Sequence, residues 1–275
     1  MNYRHAFHAG NFADCVKHAL LVTLVRLLQR KEKPLFLLDT HAGAGLYALT
    51  APEAEKSGEW REGIGRLRRH PSPPLAPYLT LTGDEAHYAG SPLLLHRLAR
   101  PQDRVVCCEQ VPEVAASLRT LLRSLGRGDV HCRDGWEALR ALLPPPERRG
   151  LIFIDPPFEA RSDYAALAAG LRHAYRRFPQ GVYAGWFPLK GKGAAHQLYG
   201  DLKSGGGLAD VIAVEFWRRP PLDPQSLAGS GLIVVNPPFG FEEEAYPVLE
   251  ALREALGDGA GAGFAITRLI GEGRV

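Results

Sequence analysis

The sequence places an acid, two prolines and an aromatic residue, Asp155-Pro156-Pro157-Phe158, directly after the apolar run 151–154. An aromatic amine is a poor nucleophile because its lone pair is delocalised into the ring, so acceptors must hold its N–H groups. The Asp155 carboxylate and the Pro156 carbonyl would be such acceptors, since prolines carry no N–H donor. Phe158 would stack on the base, which contributes about 1–3 kcal/mol. The motif predicts methylation of an exocyclic amino nitrogen on an extruded base, although it also suits a plain turn.

A second turn of related sequence, Asn236-Pro237-Pro238-Phe239, is a rival for the same role. In an open α/β sheet the ligand lies where the strand order reverses. That point adjoins the fourth predicted strand, which precedes Asp155, whereas Asn236 follows the seventh. We therefore expect the second turn to be structural, at the edge of the sheet, and Asp155 to carry the chemistry.

Short apolar runs alternate with helical segments along the chain. The predicted strands cover residues 34–39, 105–109, 130–132, 151–155, 182–186, 211–217 and 232–236. The predicted helices include 12–29, capped by Asn11, and 113–125, 136–143 and 163–178. This alternation predicts an α/β fold with an open parallel sheet covered on both faces. The strand-like segment 264–270 has no clear place in a seven-stranded sheet.

Acidic residues stand at the ends of four predicted strands or in the turns just after them, namely Asp39, Glu109, Asp134 and Asp155. Ligands of open α/β sheets bind beyond the carboxyl ends of the strands. Each acid taken alone is equally well explained as a strand-end or helix-capping carboxylate. Their order along the chain favours a cofactor site.

The turn from Asp39 to Gly45 indicates which cofactor this site takes. Its glycines let the backbone approach a ligand closely, but its GAGLYA sequence lacks the third glycine of a dinucleotide-binding turn. The turn suits the uncharged and sulfonium parts of S-adenosylmethionine better than a phosphate. Glu109 would then accept from the ribose hydroxyls, and Asp134, with the backbone of Gly135 beside it, would bind the cofactor adenine.

Composition narrows the class of protein. The 275 residues are 45% hydrophobic and 23% charged, with a net charge of +3, which permits a phosphate-rich partner without demanding one. No apolar span of about 18 residues is present and the N-terminus is polar, so we expect a cytoplasmic protein without a membrane segment. The four cysteines, which form no CxxC pair, are expected to be reduced core thiols, and no metal site is expected. They are Cys15, Cys107, Cys108 and Cys132.

One spacing is longer than a simple strand-helix-strand unit requires. Gly45 and Glu109 are 64 positions apart, whereas about 20–30 would suffice. The polar, proline-rich segment 52–90 therefore predicts an inserted small subdomain, which leaves 1–51 and 91–275 as the main domain. Its arginines, including those at 66, 68 and 69, form either a solvated face or a contact surface for nucleic-acid phosphates.

Four blocks of the sequence together resemble the RlmJ family of bacterial 23S ribosomal RNA adenine-N6 methyltransferases. They are Tyr3–Asp14 with Lys17-His18, Asp39–Gly45, Gly90-Ser91-Pro92 and Asp155–Glu159. The resemblance runs from Met1 to Asn236 or beyond. The N-terminal block is highly specific, whereas many amino-methyltransferases share the Asp-Pro-Pro turn.

The resemblance implies a Rossmann-like, class I S-adenosylmethionine-dependent methyltransferase with an inserted helical subdomain. It would act as a monomer on protein-free 23S ribosomal RNA, by in-line methyl transfer to a flipped-out adenine. The implied cofactor contacts are His18, His41, Ser91, Glu109, Asp134, Gly135 and Asp155. Asp155 would also accept the proton, and Tyr3 would approach the substrate base. Phe158 replaces the tyrosine that the family often has, which keeps base stacking and loses the phenol hydroxyl.

Several alternatives stay open from the residues alone. His18 and His41 would be hydrogen-bonded structural residues more often than ligand contacts, and it is the resemblance that favours the cofactor. A DNA adenine methyltransferase would use the same catalytic turn, and protein glutamine methylation uses such turns with asparagine in first place. A non-enzymatic RNA-binding module would leave the ordered strand-end acids unexplained.

Overall fold

The computed structural model describes residues 4–126, 128–223 and 225–271. The strands in this part of the chain are β1 (Phe36–Asp39), β2 (Leu46–Ala48), β3 (His87–Ala89), β4 (Arg104–Glu109), β5 (Asp129–Cys132), β6 (Gly150–Ile154), β7 (Val182–Leu189), β8 (Val211–Trp217), β9 (Gly229–Val235) and β10 (Gly263–Ile270). The α-helices are α1 (Phe12–Leu28), α2 (Pro52–Ser57), α3 (Ile64–Arg69), α4 (Ala76–Leu79), α5 (Ser91–Leu98), α6 (Pro112–Ser124), α7 (Gly135–Ala141), α8 (Ser162–Arg177), α9 (Lys192–Ser204) and α10 (Phe241–Leu256).

Eight of the described strands form one mixed sheet in the order β10-β8-β9-β7-β6-β1-β4-β5. The strands β7, β6, β1, β4 and β5 are parallel, and β9 is antiparallel to both β7 and β8. The predicted α/β fold is confirmed, whereas the prediction of a wholly parallel sheet was wrong, because β9 and β10 are antiparallel to their neighbours. The segment without a predicted place is β10, which pairs antiparallel with β8 and forms the edge of the sheet.

Helices cover both faces of the sheet because successive strand residues point to opposite sides. In β1, Leu37 packs into the core under α1, α5, α6 and α10. Its neighbours Phe36 and Leu38 pack into the second core, under α7, α8 and α9. Polar residues stand at the carboxyl ends of the parallel strands. Asp39 ends β1 and Glu109 ends β4.

Helix α1 begins where the sequence predicts. Asn11 is its N-cap and accepts a hydrogen bond from the Asp14 N–H at 2.9 Å. Almost every residue of this helix is buried, including three polar ones: Asp14, Lys17 and His18. Buried charges need partners, so this helix must supply or meet polar groups inside the protein.

Residues 46–90 form a unit of short helices closed at its base by the antiparallel ribbon of β2 and β3. The unit packs on the start of α1. The Ile64 N–H donates to the Gly10 carbonyl at 2.8 Å, and Glu59 accepts from the Asn11 side chain at 3.0 Å. The predicted insertion begins at residue 52, whereas the ribbon already starts at β2; the division into a separate subdomain stays a prediction.

The cysteines are free thiols, and three of them, at positions 15, 107 and 108, are buried. Cys132 is exposed, so its prediction as a core thiol was wrong. It is the last residue of β5, which forms the other edge of the sheet and is only partly covered. None of the helices in the described part of the chain has both the length and the hydropathy of a membrane span.

The contact between the 46–90 unit and α1 makes a testable prediction. We expect Gly63→Ala to destabilise the protein by about 1–3 kcal/mol, because a Cβ atom there would lie 2.2 Å from the Gly10 carbonyl oxygen. Gly200→Ala in α9 is the matched control, since its Cβ would have no neighbour within 4 Å. It should stabilise by about 0.5–1 kcal/mol. Urea unfolding measures both, and wild-type stability in Gly63→Ala would contradict this packing.

Candidate active site

A cleft of about 960 Å³ opens at the carboxyl ends of β1, β4 and β6, with β1 between the other two. Eight residues predicted for the site line it. They are His18, His41, Ser91, Glu109, Gly135, Asp155, Pro156 and Phe158. Asp134 stands beside the cleft without lining it, and Tyr3 lies outside the described residues.

The glycine turn after β1 is held from two sides. One oxygen of Glu109 accepts from the Gly43 N–H at 2.9 Å and the other from the Val111 N–H at 2.7 Å. The Tyr47 hydroxyl accepts from the Ala44 N–H at 3.0 Å. Gly43 has φ +65°, and a Cβ there would lie 2.4 Å from the Tyr47 oxygen. Glycine is therefore required for both the backbone conformation and the space.

Asp39 lies beneath this turn and is completely buried. One of its oxygens accepts from the His41 N–H at 3.2 Å. The other, Oδ2, lacks a hydrogen bond of normal geometry to any described residue. Burial raises the pKa of this carboxyl to about 7, and the Ser91 hydroxyl opposes part of that rise.

His41 has a defined tautomer in the same turn. The Thr40 hydroxyl donates to the Phe153 carbonyl at 3.1 Å, so it accepts from Nδ1 of His41 at 2.8 Å. Nε2 is then unprotonated, because burial lowers the pKa of His41 to about 4. The ring packs against Gly135, where a Cβ would lie 2.7 Å from Nε2. Burial likewise lowers the pKa of His18 to about 3, so both histidines are neutral.

The Asp155 carboxylate is held by a buried lysine that the sequence analysis did not assign to the site. Lys17 Nζ lies 2.6 Å from Asp155 Oδ2 and 2.7 Å from Asp14 Oδ1. The lysine side chain is 5% exposed and that of Asp155 is 12% exposed. Burial raises the pKa of Asp155, and the ammonium of Lys17 opposes that rise. The charge of Lys17 is thus the largest effect that favours the ionised form of Asp155.

Asp14 completes this chain of charges. Its second oxygen accepts from the Gly10 N–H at 2.9 Å and lies 3.1 Å from His5 Nε2. Burial tends to raise the pKa of Asp14, but Lys17 and His5 hold it well below its usual range. The spacing of Asp14 and Lys17, three positions apart on an apolar helix, was the signal in the sequence that could have identified this pair.

Aromatic rings form the wall beside Asp155. Phe158 meets Trp186 of β7 edge to face at 5.5 Å and Tyr164 of α8 at 4.9 Å. The Trp186 indole donates to the Ser230 hydroxyl at 2.8 Å, and the Lys17 ammonium lies 5.0 Å from the centre of the Trp186 ring. Trp186 lines the cleft as well. Trp186 lies on a predicted strand, and its role in the site was not predicted.

Asp134 caps a helix, a structural role that the sequence left open. Its Oδ1 accepts from the Trp136 and Glu137 N–H groups at 2.8 and 3.0 Å, which makes it the N-cap of α7. This capping holds Gly135 against the cleft. A contact between Asp134 and a cofactor stays a prediction, and Oδ2 is the oxygen left for it.

The second Pro-Pro turn follows the interior strand β9, so its predicted place at the edge of the sheet was wrong, and it lies beside the start of β7. Since β9 is antiparallel to β7, its last residues pair with the first residues of β7. Asn236, at φ +52°, donates from its side chain to the Pro179 and Gly181 carbonyls at 2.7 and 2.8 Å. These bonds brace the turn before β7. The turn lies outside the cleft lined by Asp155.

The arginines of the 46–90 unit have partners within the protein. Arg68 donates to the His87 carbonyl at 2.9 Å, and Arg69 donates to the Arg61 carbonyl at 3.3 Å. Arg66 forms ion pairs with Glu62 and with Asp258 near the end of α10. These contacts within the protein account for the positions of the arginine side chains. Their contact with nucleic acid stays a prediction.

Comparison with known proteins gives concordant matches. Residues 32–266 match the family model described as ribosomal RNA large subunit methyltransferase D, RlmJ. The chain is 38% identical over 278 residues to ribosomal RNA large subunit methyltransferase J of Escherichia coli (strain K12), over 98% of this chain and 99% of that protein. It is 37% identical over 265 residues to the Haemophilus influenzae protein of the same description, over 93% and 94%. A Legionella pneumophila crystal structure superposes with a TM-score of 0.86 at 33% identity, over 95% of this chain and 98% of that one.

The position of Lys17 between two buried carboxylates predicts a pH-dependent loss of stability. Lys17→Met leaves Asp14 and Asp155 without their shared cation, which should cost about 3–5 kcal/mol. Without the ammonium the pKa of Asp155 in the folded protein rises further. An acid whose pKa is raised by folding destabilises the folded protein only at pH values at which the same acid is ionised in the unfolded chain. The deficit should therefore be larger at pH 8 than at pH 5 in urea unfolding.

Lys203→Met is the control for this variant, because Lys203 is exposed on α9. It should stay within about 0.5 kcal/mol of the wild type at both pH values. A Lys17→Met deficit that does not change between pH 5 and pH 8 would contradict the account of Asp155 as a carboxylate kept ionised by Lys17.

Proposed function

Since this chain belongs to the RlmJ family of ribosomal RNA large subunit methyltransferases, we propose that it methylates the N6 amino group of an adenine in 23S ribosomal RNA, with S-adenosylmethionine as methyl donor. The observation that carries this proposal is the Asp155 carboxylate, which is paired with Lys17 at the switch point of the sheet and flanked by Phe158 and Trp186. Acceptor, aromatic wall and cofactor turn meet in one cleft.

The residues of the cleft fit S-adenosylmethionine. Glu109 and Tyr47 fix the backbone of the glycine turn, and that turn lines the cleft. Two carboxylates, Glu109 and Asp155, line the cleft and suit the ribose hydroxyls and the cationic groups of the cofactor. We assign cofactor binding to His18, His41, Ser91, Glu109, Asp134, Gly135 and Asp155. When bound, the cofactor would supply a methyl group made electrophilic by its sulfonium sulfur.

The protein's own contribution is to hold the amine and to take its proton. Asp155 and the Pro156 carbonyl accept from the two N6 hydrogens, which orients the nitrogen lone pair across the cleft. A neutral arylamine is too weak an acid to be deprotonated first, so Asp155 takes the proton as the nitrogen becomes cationic. Lys17 supports this role, because its ammonium favours the ionised form of Asp155 against the effect of burial. Such positioning can supply about 7–11 kcal/mol of the barrier.

The aromatic wall supplies the binding energy for an extruded base. Phe158 and Trp186 are fixed by each other and by the Ser230 hydrogen bond. Stacking on such a ring contributes about 1–3 kcal/mol per base, which offsets part of the cost of leaving the RNA stack. We further propose that the protein acts in the cytoplasm as a monomer on protein-free RNA, and that Tyr3 approaches the base, as the family resemblance implies.

Substitution of the two Pro-Pro turns tests the proposed function. Asp155→Ala should abolish methyl transfer to a 23S ribosomal RNA transcript while it keeps the fold and measurable affinity for S-adenosylhomocysteine. Asn236→Ala is the matched control: it should lower the melting temperature, because two carbonyls lose their donor, and keep turnover per folded molecule near that of the wild type. Tritium transfer from labelled S-adenosylmethionine measures both variants. Full activity in Asp155→Ala together with lost activity in folded Asn236→Ala would overturn the assignment.

A further inference from the structure

The ribbon of β2 and β3 carries a pair of tyrosines that serve the cleft. Tyr47 and Tyr88 are directly opposite each other in its antiparallel register, so their side chains project from the same face. Both side chains are buried. Tyr47 accepts from the Ala44 N–H in the cofactor turn, and the Tyr88 hydroxyl lies 2.6 Å from Nδ1 of His18. Each tyrosine therefore orders a different part of the cleft.

We propose that Tyr88 is a positioning residue for cofactor binding, because its hydroxyl donates to Nδ1 of His18 and so keeps the imidazole proton on Nε2, the nitrogen offered to the cleft. The proposal rests on the proposed function, since it takes His18 as a cofactor contact.

The direction of the hydrogen bond follows from the neighbours of Tyr88. Its hydroxyl has one proton and two possible acceptors, Nδ1 of His18 at 2.6 Å and the Tyr78 hydroxyl at 3.0 Å. An imidazole nitrogen is a better acceptor than a phenol oxygen, and its contact is the shorter one. Tyr88 therefore donates to His18, and Tyr78 donates to Tyr88. The three side chains form a buried chain of hydrogen bonds that ends at the cleft.

The proton on Nε2 matters because His18 is neutral. Burial lowers the pKa of His18 to about 3, so at neutral pH the ring has a single N–H. Nε2 makes no hydrogen bond to any residue in the described ranges, and the side chain lines the cleft. With its proton there, His18 is a donor for the carboxylate of the cofactor's methionine part. With the proton on Nδ1, it would turn a lone pair toward that carboxylate.

This chain of hydrogen bonds also indicates a role for the 46–90 unit. Tyr78 and Tyr88 both belong to segment 52–90, and Tyr47 lies just before it. The Gly90 N–H donates to the Gly45 carbonyl at 2.8 Å, which joins the end of β3 to the cofactor turn. The inserted segment thus sets the hydrogen-bonding state of a cleft residue on α1, besides packing against that helix.

Two measurements on Tyr88→Phe test the proposal. Calorimetric titration with S-adenosylhomocysteine should give an affinity about three- to tenfold weaker than in the wild type, as expected for one lost neutral hydrogen bond. Nitrogen NMR of ¹⁵N-histidine-labelled protein without cofactor should show one His18 tautomer, protonated on Nε2, in the wild type and a mixture in the variant. The His18 signals are assigned by their loss in His18→Asn.

Two further variants separate positioning from stability. Tyr183→Phe removes another buried hydroxyl, which donates to the Ala174 and Phe178 carbonyls; it should lower the melting temperature and leave both the affinity and the His18 tautomer unchanged. Tyr78→Phe keeps the bond between Tyr88 and His18, so its tautomer should stay on Nε2 and its affinity within about twofold of the wild type.

Three results would overturn the proposal. They are a wild-type His18 protonated on Nδ1, a Tyr88→Phe protein with unchanged affinity and tautomer, and a loss of affinity in Tyr183→Phe as large as that in Tyr88→Phe. The first is read on the wild type, so it does not depend on how well any variant folds. A wild-type protein that binds no S-adenosylhomocysteine would instead contradict the proposed function. The comparison between variants tests only the role of Tyr88.

Discussion

The ammonium of Lys17 lies inside the protein between two carboxylates, Asp14 on its own helix and Asp155 at the end of β6. A charge at that depth is tolerated only with partners. The pairing therefore fixes the start of α1 against the turn that follows β6. It also fixes how far the Asp155 carboxylate can move. The aromatic wall adjoins the same ammonium, which lies over the ring of Trp186.

This arrangement balances two opposing demands on Asp155. A cleft that excludes water strengthens the hydrogen bonds to a bound amine. Burial, however, favours the protonated form of Asp155, which could accept no proton. Lys17 offsets the burial of Asp155, and with both carboxylates ionised the group of three carries a net charge of −1. His5 and the Gly10 N–H bind the outer oxygen of Asp14 and extend the network to the N-terminal segment. The 46–90 unit packs on that segment and so stabilises the site through it.

Much of the site could be predicted from the sequence, for a geometric reason. The carboxyl ends of parallel strands share one edge, so Asp39, Glu109 and Asp155 had to meet once the alternation of strands and helices was recognised. Lys17 and Trp186 could not be placed in the same way, because their role depends on which faces of α1 and β7 meet across the sheet. The same limit applies to β10, since an antiparallel edge strand leaves no trace in the alternation. Asp134 shows a further limit, because one carboxylate can both cap a helix and adjoin a ligand.

We propose that the Asp155 cleft methylates N6 of adenine in ribosomal RNA, and the identity of the product is the decisive measurement. A 23S ribosomal RNA transcript is incubated with the purified protein and S-adenosylmethionine, digested to nucleosides and analysed by chromatography and mass spectrometry against synthetic methyladenosines. We expect N6-methyladenosine as the product, with no methylation of a double-stranded DNA control. Methylation at another adenine position, or of the DNA in preference to the RNA, would contradict it.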